Sequence, residues 1–263
     1  MSASSASMSA TRQKEHLLRV EIVSHCYAAE LPQYAAMLAY QASSLVLHKP
    51  KKCKVCLSVC VWEDQEEETF DLHARKALAW AMLHIPCKII RMKRNEIGRR
   101  CIGRNHAALH TSADYVWFAD VDQVFRDGIL DQLISMPWPE NASMIYPREI
   151  KIHQDWVTGD KRTASVDLDD LQLIDTDPTE FVPKRYRTAI GGVQIVRGDF
   201  ARKHGYLNTI PKWHRTTEEL FKNFYDDVVY RRYCAELGLV VGVDLPGLYR
   251  LRHTKTTYQE DKR

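Results

Sequence analysis

Tyr115-Val116-Trp117-Phe118-Ala119-Asp120-Val121-Asp122 is a run of apolar, β-prone residues that ends in two carboxylates one residue apart. A continuously apolar run of this kind reads as a strand covered on both faces. Alternation along an extended chain sends Asp120 and Asp122 to the same side. Two carboxylates so placed can hold a hard divalent cation, Mn²⁺ or Mg²⁺, with coordination positions left for other oxygens. An Asp-x-Asp triplet alone is common in surface turns. Its place directly after a buried strand singles this one out.

Upstream, strands and helices alternate. Val20-Glu21-Ile22-Val23 is a short β-rich run ending in Ser24-His25, and Leu31 to Leu47 follows at helical spacing, with Pro32 in its first turn. Val55 to Trp62 reads as the second strand, with Glu63-Asp64 at its end. Glu66 to Leu83 is acidic at its start and Ala-rich, as a helix would be. Lys88 to Met92 is a third strand and Gly103 to Ser112 a short helix. This order predicts a mostly parallel central sheet with helices on both faces. Ligands of such sheets bind outside the carboxyl ends of the strands. Those ends here are His25-Cys26-Tyr27, Trp62-Glu63-Asp64 and Asp120-Val121-Asp122.

Downstream, Ile145 to Glu149 can form a strand. Lys151 to Arg187 has weak periodicity, many Asp residues, Pro178 and Pro183. It reads as a functional loop, mobile in the free protein and ordering over a bound ligand as a lid. Ala189 to Val196 resumes as a strand carrying Gly191-Gly192. A helix from Thr217 to Leu237 stops at Gly238, Leu239 to Val243 is a last strand, and Arg250, Arg252, His253 and Lys255 form a basic tail. The expected organisation is a disordered tail over 1–18, one α/β domain over 19–255 and a short tail over 256–263.

The remaining composition excludes more than it suggests. Of 263 residues, 37 are basic and 34 acidic, a net charge of +3 with no concentrated basic face, so nucleic acid is not an expected partner. No run is long and apolar enough for a transmembrane segment, and Met1 to Ala10 lacks the pattern of a secretory signal. The 7 cysteines are odd in number and irregular in spacing, which points to reduced thiols in a cytoplasmic protein. Cys53, Cys56 and Cys60 alternate with Val55, Leu57, Val59 and Val61 along a strand, and read as buried thiols rather than zinc ligands.

Taken together these pieces resemble the family 2 glycosyltransferases of the GT-A fold, from Val20 to about His253. Val20 to Tyr27 looks like that family's first strand and loop. Glu63-Asp64 is similar to the acidic pair whose second carboxylate meets the nucleotide base. Arg100, Arg104 and Asn105 resemble the basic residues and Asn that precede the metal motif, and Phe118 to Asp122 is the clearest match. Gly191-Gly192 resembles the glycine pair on a strand beside the donor sugar. Asp226-Asp227, 11 residues before Gly238 as counted from Asp227, resembles the acidic pair heading a helix.

The resemblance implies an inverting hexosyl- or pentosyltransferase that uses a nucleotide-diphosphate sugar. A nucleotide-binding half would span 19–125, and a donor-sugar and acceptor half 126–255. Asp227, or else Asp226, would be the base. Asp120, Asp122 and His253 would bind metal. His25, Tyr27, Asp64, Arg100, Arg104, Asn105, Asp120, Gly191 and Gly192 would line the donor. The acceptor would be a glycan, glycolipid or other hydroxyl compound, and the enzyme would be peripheral to a membrane if that acceptor is lipid-linked. Trp213-His214 could line the sugar or acceptor pocket.

Three other readings stay open at this stage. Asp120-Val121-Asp122-Gln123-Val124 also fits the nucleophile motif of a haloacid-dehalogenase-like phosphatase, with Asp226-Asp227 as its late metal pair. A catalytically inactive sugar-nucleotide-binding module would keep the same fold. A nucleotidyltransferase would need a Gly-rich basic first loop, which Ser24 to Leu31 lacks.

Overall fold

A computed structural model of the chain describes residues 17–29, 31–64, 69–210, 212 and 225–253. Strand β1 (Leu18–Cys26) lies between β2 (Cys53–Asp64) and β5 (Tyr115–Ala119), parallel to both, and β4 (Cys87–Met92) adds in parallel to the far edge of β2. These four strands are joined by helices α1 (Gln33–Leu47), α2 (Leu72–His84), α3 (Arg94–Ile97) and α4 (Arg100–His110). Val23 sits opposite both Ser58 and Phe118, so the carboxyl ends of the three central strands fall at nearly one level.

Beyond β5 the sheet continues through β10 (Val193–Arg197), β7 (Ala142–Pro147) and β11 (Leu239–Val243). β10 runs antiparallel to both of its neighbours, while β11 and β7 are parallel. Every other long strand therefore points the same way, and the mostly parallel α/β sheet expected from the sequence is the one observed. β5 is interior and buried from Val116 to Ala119, which accounts for its unbroken apolar run.

A second sheet stands beside the first, in the order β6 (Gln123–Phe125), β12 (Leu248–Arg250), β8 (Glu149–His153), β9 (Phe181–Arg185). β6 begins one residue after Asp122. The chain thus leaves the main sheet and enters the second through Asp120-Val121-Asp122, and the Leu251 amide donates to the Asp122 carbonyl at 2.8 Å.

Several boundaries differ from those expected. Helix α2 starts at Leu72 rather than Glu66, because Thr69–Phe70 (β3) pairs antiparallel with Glu63 and Asp64. Asp71 caps α2 by accepting from the Ala74 amide at 2.9 Å, and it also accepts from the Ala29 amide at 2.7 Å, which fixes the loop after β1. Gly191-Gly192 lies in the turn before β10, not on the strand.

The segment Lys151 to Arg187 is not a loop without elements. It holds most of β8, helix α6 (Trp156–Ala164) and the edge strand β9. β9 was illegible because its residues after Phe181 are exposed on both faces and Pro183 interrupts them. Between α6 and β9 the chain crosses α1: the Ile174 amide donates to Ser43 Oγ at 3.1 Å, and Arg126 binds Asp175 and the Thr176 carbonyl. Helix α1 is consequently buried from Ala35 through Leu45 on all sides. Residues 1–16, 217–224 and 254–263, and with them most of the expected tails and the expected start of the last helix, lie outside the described residues. No helix among the described residues is long and apolar enough to cross a membrane.

Gly103 lets α4 press onto the sheet. A methyl group there would stand 2.5 Å from Cys60 Sγ, 2.6 Å from His25 Nε2 and 2.9 Å from Met92 Sδ, all on buried side chains. Overpacking of this kind costs about 1–3 kcal/mol. Gly103→Ala should lower stability to urea by that amount, and an unchanged unfolding midpoint would show that the helix can lift without loss.

Candidate active site

Asp120 leaves the end of β5 and meets two arginines one helical turn apart on α4. Arg100 Nη1 and Arg104 Nη2 both donate to Asp120 Oδ1, at 3.0 and 3.2 Å. Positions i and i+4 share a helix face, so the two guanidinium groups converge on one carboxylate. Burial works to raise the Asp120 pKa. Arg100, then Arg104 and Arg250, outweigh it and hold the group at about 2, ionised at any physiological pH. Gln41 Nε2 on α1 donates to the Asp120 carbonyl at 3.0 Å and pins the backbone.

Asp122 is 3% exposed and faces the second sheet. Arg250 Nε on β12 donates to its Oδ2 at 2.8 Å, and His253 Nε2 stands 3.9 Å from the same oxygen. Asp122 Oδ1 is buried with no hydrogen-bond partner. Among the described residues Asp120 Oδ2 has a long charged contact, 3.9 Å, with Arg250 Nη2. An orphaned carboxylate oxygen beside a second lightly engaged one, with an imidazole close by, fits a hard cation. Among the described residues no three acidic, Cys or His side chains form a complete shell. That suits an ion which takes one or two carboxylates and completes its coordination with phosphate oxygens and water.

The glycine pair joins this cluster to the last helix, α8 (Asp226–Leu237). A methyl group on Gly192 would lie 2.8 Å from Asp120 Oδ2 and 2.4 Å from Gln123 Nε2, whereas one on Gly191 would lie 3.2 Å from Asp227 Oδ2. The turn thus threads between the Asp120 and Asp227 carboxylates; a Cβ would clash at position 192, and at 191 it would press on the Asp227 side chain. Asp226 and Asp227 occupy the first turn of α8, where the helix dipole favours anions. Asp226 is buried with Oδ2 unpartnered, and Asp227 is half-buried.

A buried polar chain ties the same parts together behind the cluster. Arg104 Nη1 donates to Tyr206 Oη at 3.1 Å, Tyr206 Oη donates to Gln194 Oε1 at 2.9 Å, and Gln194 Nε2 donates to the Asp227 carbonyl at 2.9 Å. The Tyr206 ring stacks on Tyr230 of α8 at 3.9 Å between centroids. The carboxylate after β5 and the start of α8 are therefore held to each other through fully buried groups.

The other residues singled out in the sequence fall around this centre in different ways. Tyr27 packs on Tyr34 with centroids 4.8 Å apart, and Tyr34 meets His253 edge-on at 5.6 Å, so Tyr27 and His253 share one aromatic wall. Burial pushes the Tyr27 hydroxyl up to about 12. His25 is enclosed beneath α4 rather than open at the rim. Burial, aided by Arg104 and Arg100, depresses its pKa well below the usual histidine value, and neither ring nitrogen has a hydrogen-bond partner.

Asn105 Oδ1 accepts from the Tyr206 amide at 2.9 Å and its Nδ2 donates to Asn208 Oδ1 at 3.2 Å, so it latches α4 to the chain after α7 (Gly198–His204). Asp64 ends β2 at the same edge of the sheet; its side chain, like Trp213 and His214, lies outside the described residues. Arg250, Gln194 and Tyr206 were not singled out as site residues. For the first two a signal existed: each is a polar residue inside an otherwise apolar strand, Leu248-Tyr249-Arg250-Leu251 and Val193-Gln194-Ile195-Val196.

No protein-family model and no curated protein matches the sequence. Solved structures do match in fold. The mannosyltransferase PcManGT from Pyrobaculum calidifontis, in complex with GDP-Man and Mn²⁺, aligns with a TM-score of 0.54 at 12% identity, over 93% of this chain and 59% of that one. TarS from S. aureus aligns with a TM-score of 0.50 at 13% identity, over 90% of this chain and 37% of that one. This chain therefore spans 59% of the first protein's length and 37% of the second's. At such identities the likeness defines the fold, and the fold is that of the GT-A glycosyltransferases.

Replacing Tyr206 by Phe would leave buried Gln194 Oε1 and Arg104 Nη1 without their partner. An unsatisfied buried polar group costs about 1–3 kcal/mol. Tyr206→Phe should lose about that much stability in urea denaturation, and wild-type stability would mean that the chain of hydrogen bonds contributes nothing net.

Proposed function

We propose that this protein is an inverting glycosyltransferase that moves a sugar from a nucleoside-diphosphate donor to a hydroxyl acceptor. The observation that carries this reading is the threading of Gly191-Gly192 between the Asp120 and Asp227 carboxylates. It puts the acidic motif after β5 and the acidic start of α8 on either side of one small turn, which supports a leaving group held on one side and an attacking oxygen on the other.

In this reading Asp120 and Asp122 hold Mn²⁺ or Mg²⁺, with His253 at hand as a further contact. When bound, the ion supplies positive charge to the departing diphosphate. Arg100 adds to it from the protein side: its guanidinium is partly exposed and lies 3.0 Å from Asp120. Asp227 takes the proton of the acceptor hydroxyl as that oxygen bonds to the anomeric carbon and the bond to the diphosphate oxygen breaks. In this reading Tyr27 and Asp64, which follow β1 and end β2 at one edge of the sheet, meet the nucleoside. The acceptor class, glycan, glycolipid or other hydroxyl compound, belongs to the same proposal, as does a hexosyl or pentosyl donor.

The phosphatase alternative is weaker on two counts. Asp226-Asp227 begins a helix rather than ending an apolar strand, and both Oδ1 contacts of Asp120 are to arginines that would restrain a nucleophile.

A thermal-shift screen of nucleotide sugars with and without Mn²⁺ tests the donor directly, because a specific ligand raises the melting point by mass action. Asp122→Ala should abolish metal-dependent binding of that donor while unfolding stays cooperative; unchanged calorimetric affinity would reject its role. Asp227→Asn should keep donor binding and lose about 10²–10⁴-fold in turnover, the usual contribution of a general base. Near-normal turnover would place the base elsewhere.

A further inference from the structure

Arg250 has no role in the scheme above, yet it makes the shortest charged contact with Asp122. Its Nε donates to Asp122 Oδ2 at 2.8 Å and its Nη2 lies 3.9 Å from Asp120 Oδ2. It is the cation that faces both carboxylates from the second sheet, whereas Arg100 and Arg104 reach only Asp120, from α4. Asp122 is nearly fully buried, and a buried carboxylate without a cation is strongly unfavourable. Arg250 supplies that cation.

A divalent ion held by Asp120 and Asp122 would share those carboxylates with the same guanidinium. Two like charges that close repel strongly in a partly buried site. The backbone of Arg250 cannot retreat: it is paired with Gln123 and Ile152, and the next residue donates to the Asp122 carbonyl. Its side chain can, being 29% exposed at the open rim. A displaced guanidinium needs an anion within its reach, and the group that arrives with the ion is a diphosphate, the ligand geometry that arginine binds best.

The geometry points to Arg250 as a built-in counter-ion that the divalent cation displaces and the donor diphosphate then captures, so that metal and diphosphate bind cooperatively. This rests on the cation role proposed for Asp120 and Asp122. Metal alone is penalised, because it must break the Arg250–Asp122 ion pair and leave the guanidinium with water as its only partner. With a diphosphate present the eviction is compensated, and each ligand raises the affinity of the other by the same factor.

The test is Mn²⁺ binding followed by electron paramagnetic resonance of the free ion, with Mn²⁺ alone and then with UDP or GDP, using the full chain. In Arg250→Ala, Mn²⁺ alone should bind more tightly than in the wild type by about tenfold or more. The further gain produced by the nucleoside diphosphate should shrink by a similar factor. Arg250→Lys, which keeps the charge and shortens the reach, should fall between the two. Mn²⁺ alone should also raise the melting point of Arg250→Ala more than that of the wild type, which reports binding without any assay of turnover. Equal or weaker Mn²⁺ binding by Arg250→Ala, with Mn²⁺ and diphosphate both bound by the wild type, would overturn the displacement while leaving the glycosyltransferase reading intact. Failure of both proteins to bind Mn²⁺, with and without the nucleoside diphosphate, would remove the cation role of Asp120 and Asp122, and the displacement with it.

Discussion

An ionised carboxylate at the inner end of a buried strand demands cations, and the arrangement of this molecule follows from how Asp120 finds them. Two arginines on α4 reach its Oδ1, and a third approaches from β12, far along the chain. α4 can approach only because Gly103 lacks a side chain against His25, Cys60 and Met92. The contact from β12 exists only because the chain turns into a second sheet directly after Asp122. Burial opposes the charge, and the guanidinium groups outweigh burial. The polar chain from Arg104 through Tyr206 and Gln194 carries the same constraint on to α8, so the parts of the proposed site are fixed to one another and not merely adjacent.

Legibility in the sequence tracked the burial of each element. The strand Tyr115–Ala119 was read to the residue because both faces are covered and every position is apolar or aromatic. β11 is the exception: it lies at the sheet edge with no position fully buried, and its β-branched valines make it legible all the same. β9 was missed because an exposed edge strand with a proline has no hydrophobic period to show. The start of α2 was misjudged because acidic residues near Glu66 mimic a helix N-terminus, while the actual cap, Asp71, also serves the loop after β1. Gly191-Gly192 reads as part of a strand and forms the turn before it; the glycines mark a close approach, and spacing alone does not say to what.

The candidate site was legible only where a residue type is unusual for its surroundings. Paired carboxylates after an apolar strand stand out, and so do two arginines on one helical face. The depth of His25 did not stand out, because a histidine at a strand end looks the same whether it faces the rim or the underside of a helix. Asn105 looked like a ligand contact and serves as a latch between α4 and the chain beyond α7. Arg250 lay in plain sight within a basic tail, and what distinguished it was register: its pairing with Gln123 puts it across from the acidic motif.

The reversed strand in the middle of the main sheet, β10, has a consequence for how such a chain can be assembled. β10 sits between β5 and β7, with Ile195 paired to Trp117 on one side and to Ile145 on the other. As the polypeptide emerges from the ribosome, β1, β2, β4 and β5 are all made before β10, and can associate first. The outer edge of β5 then waits, with bare amide and carbonyl groups, until more than 70 further residues have been made (Ala119 to Val193). Nascent edges of that kind attract stray strands. The apolar stretch that makes β5 a good floor for a site is, during synthesis, the part of the chain most in need of shelter.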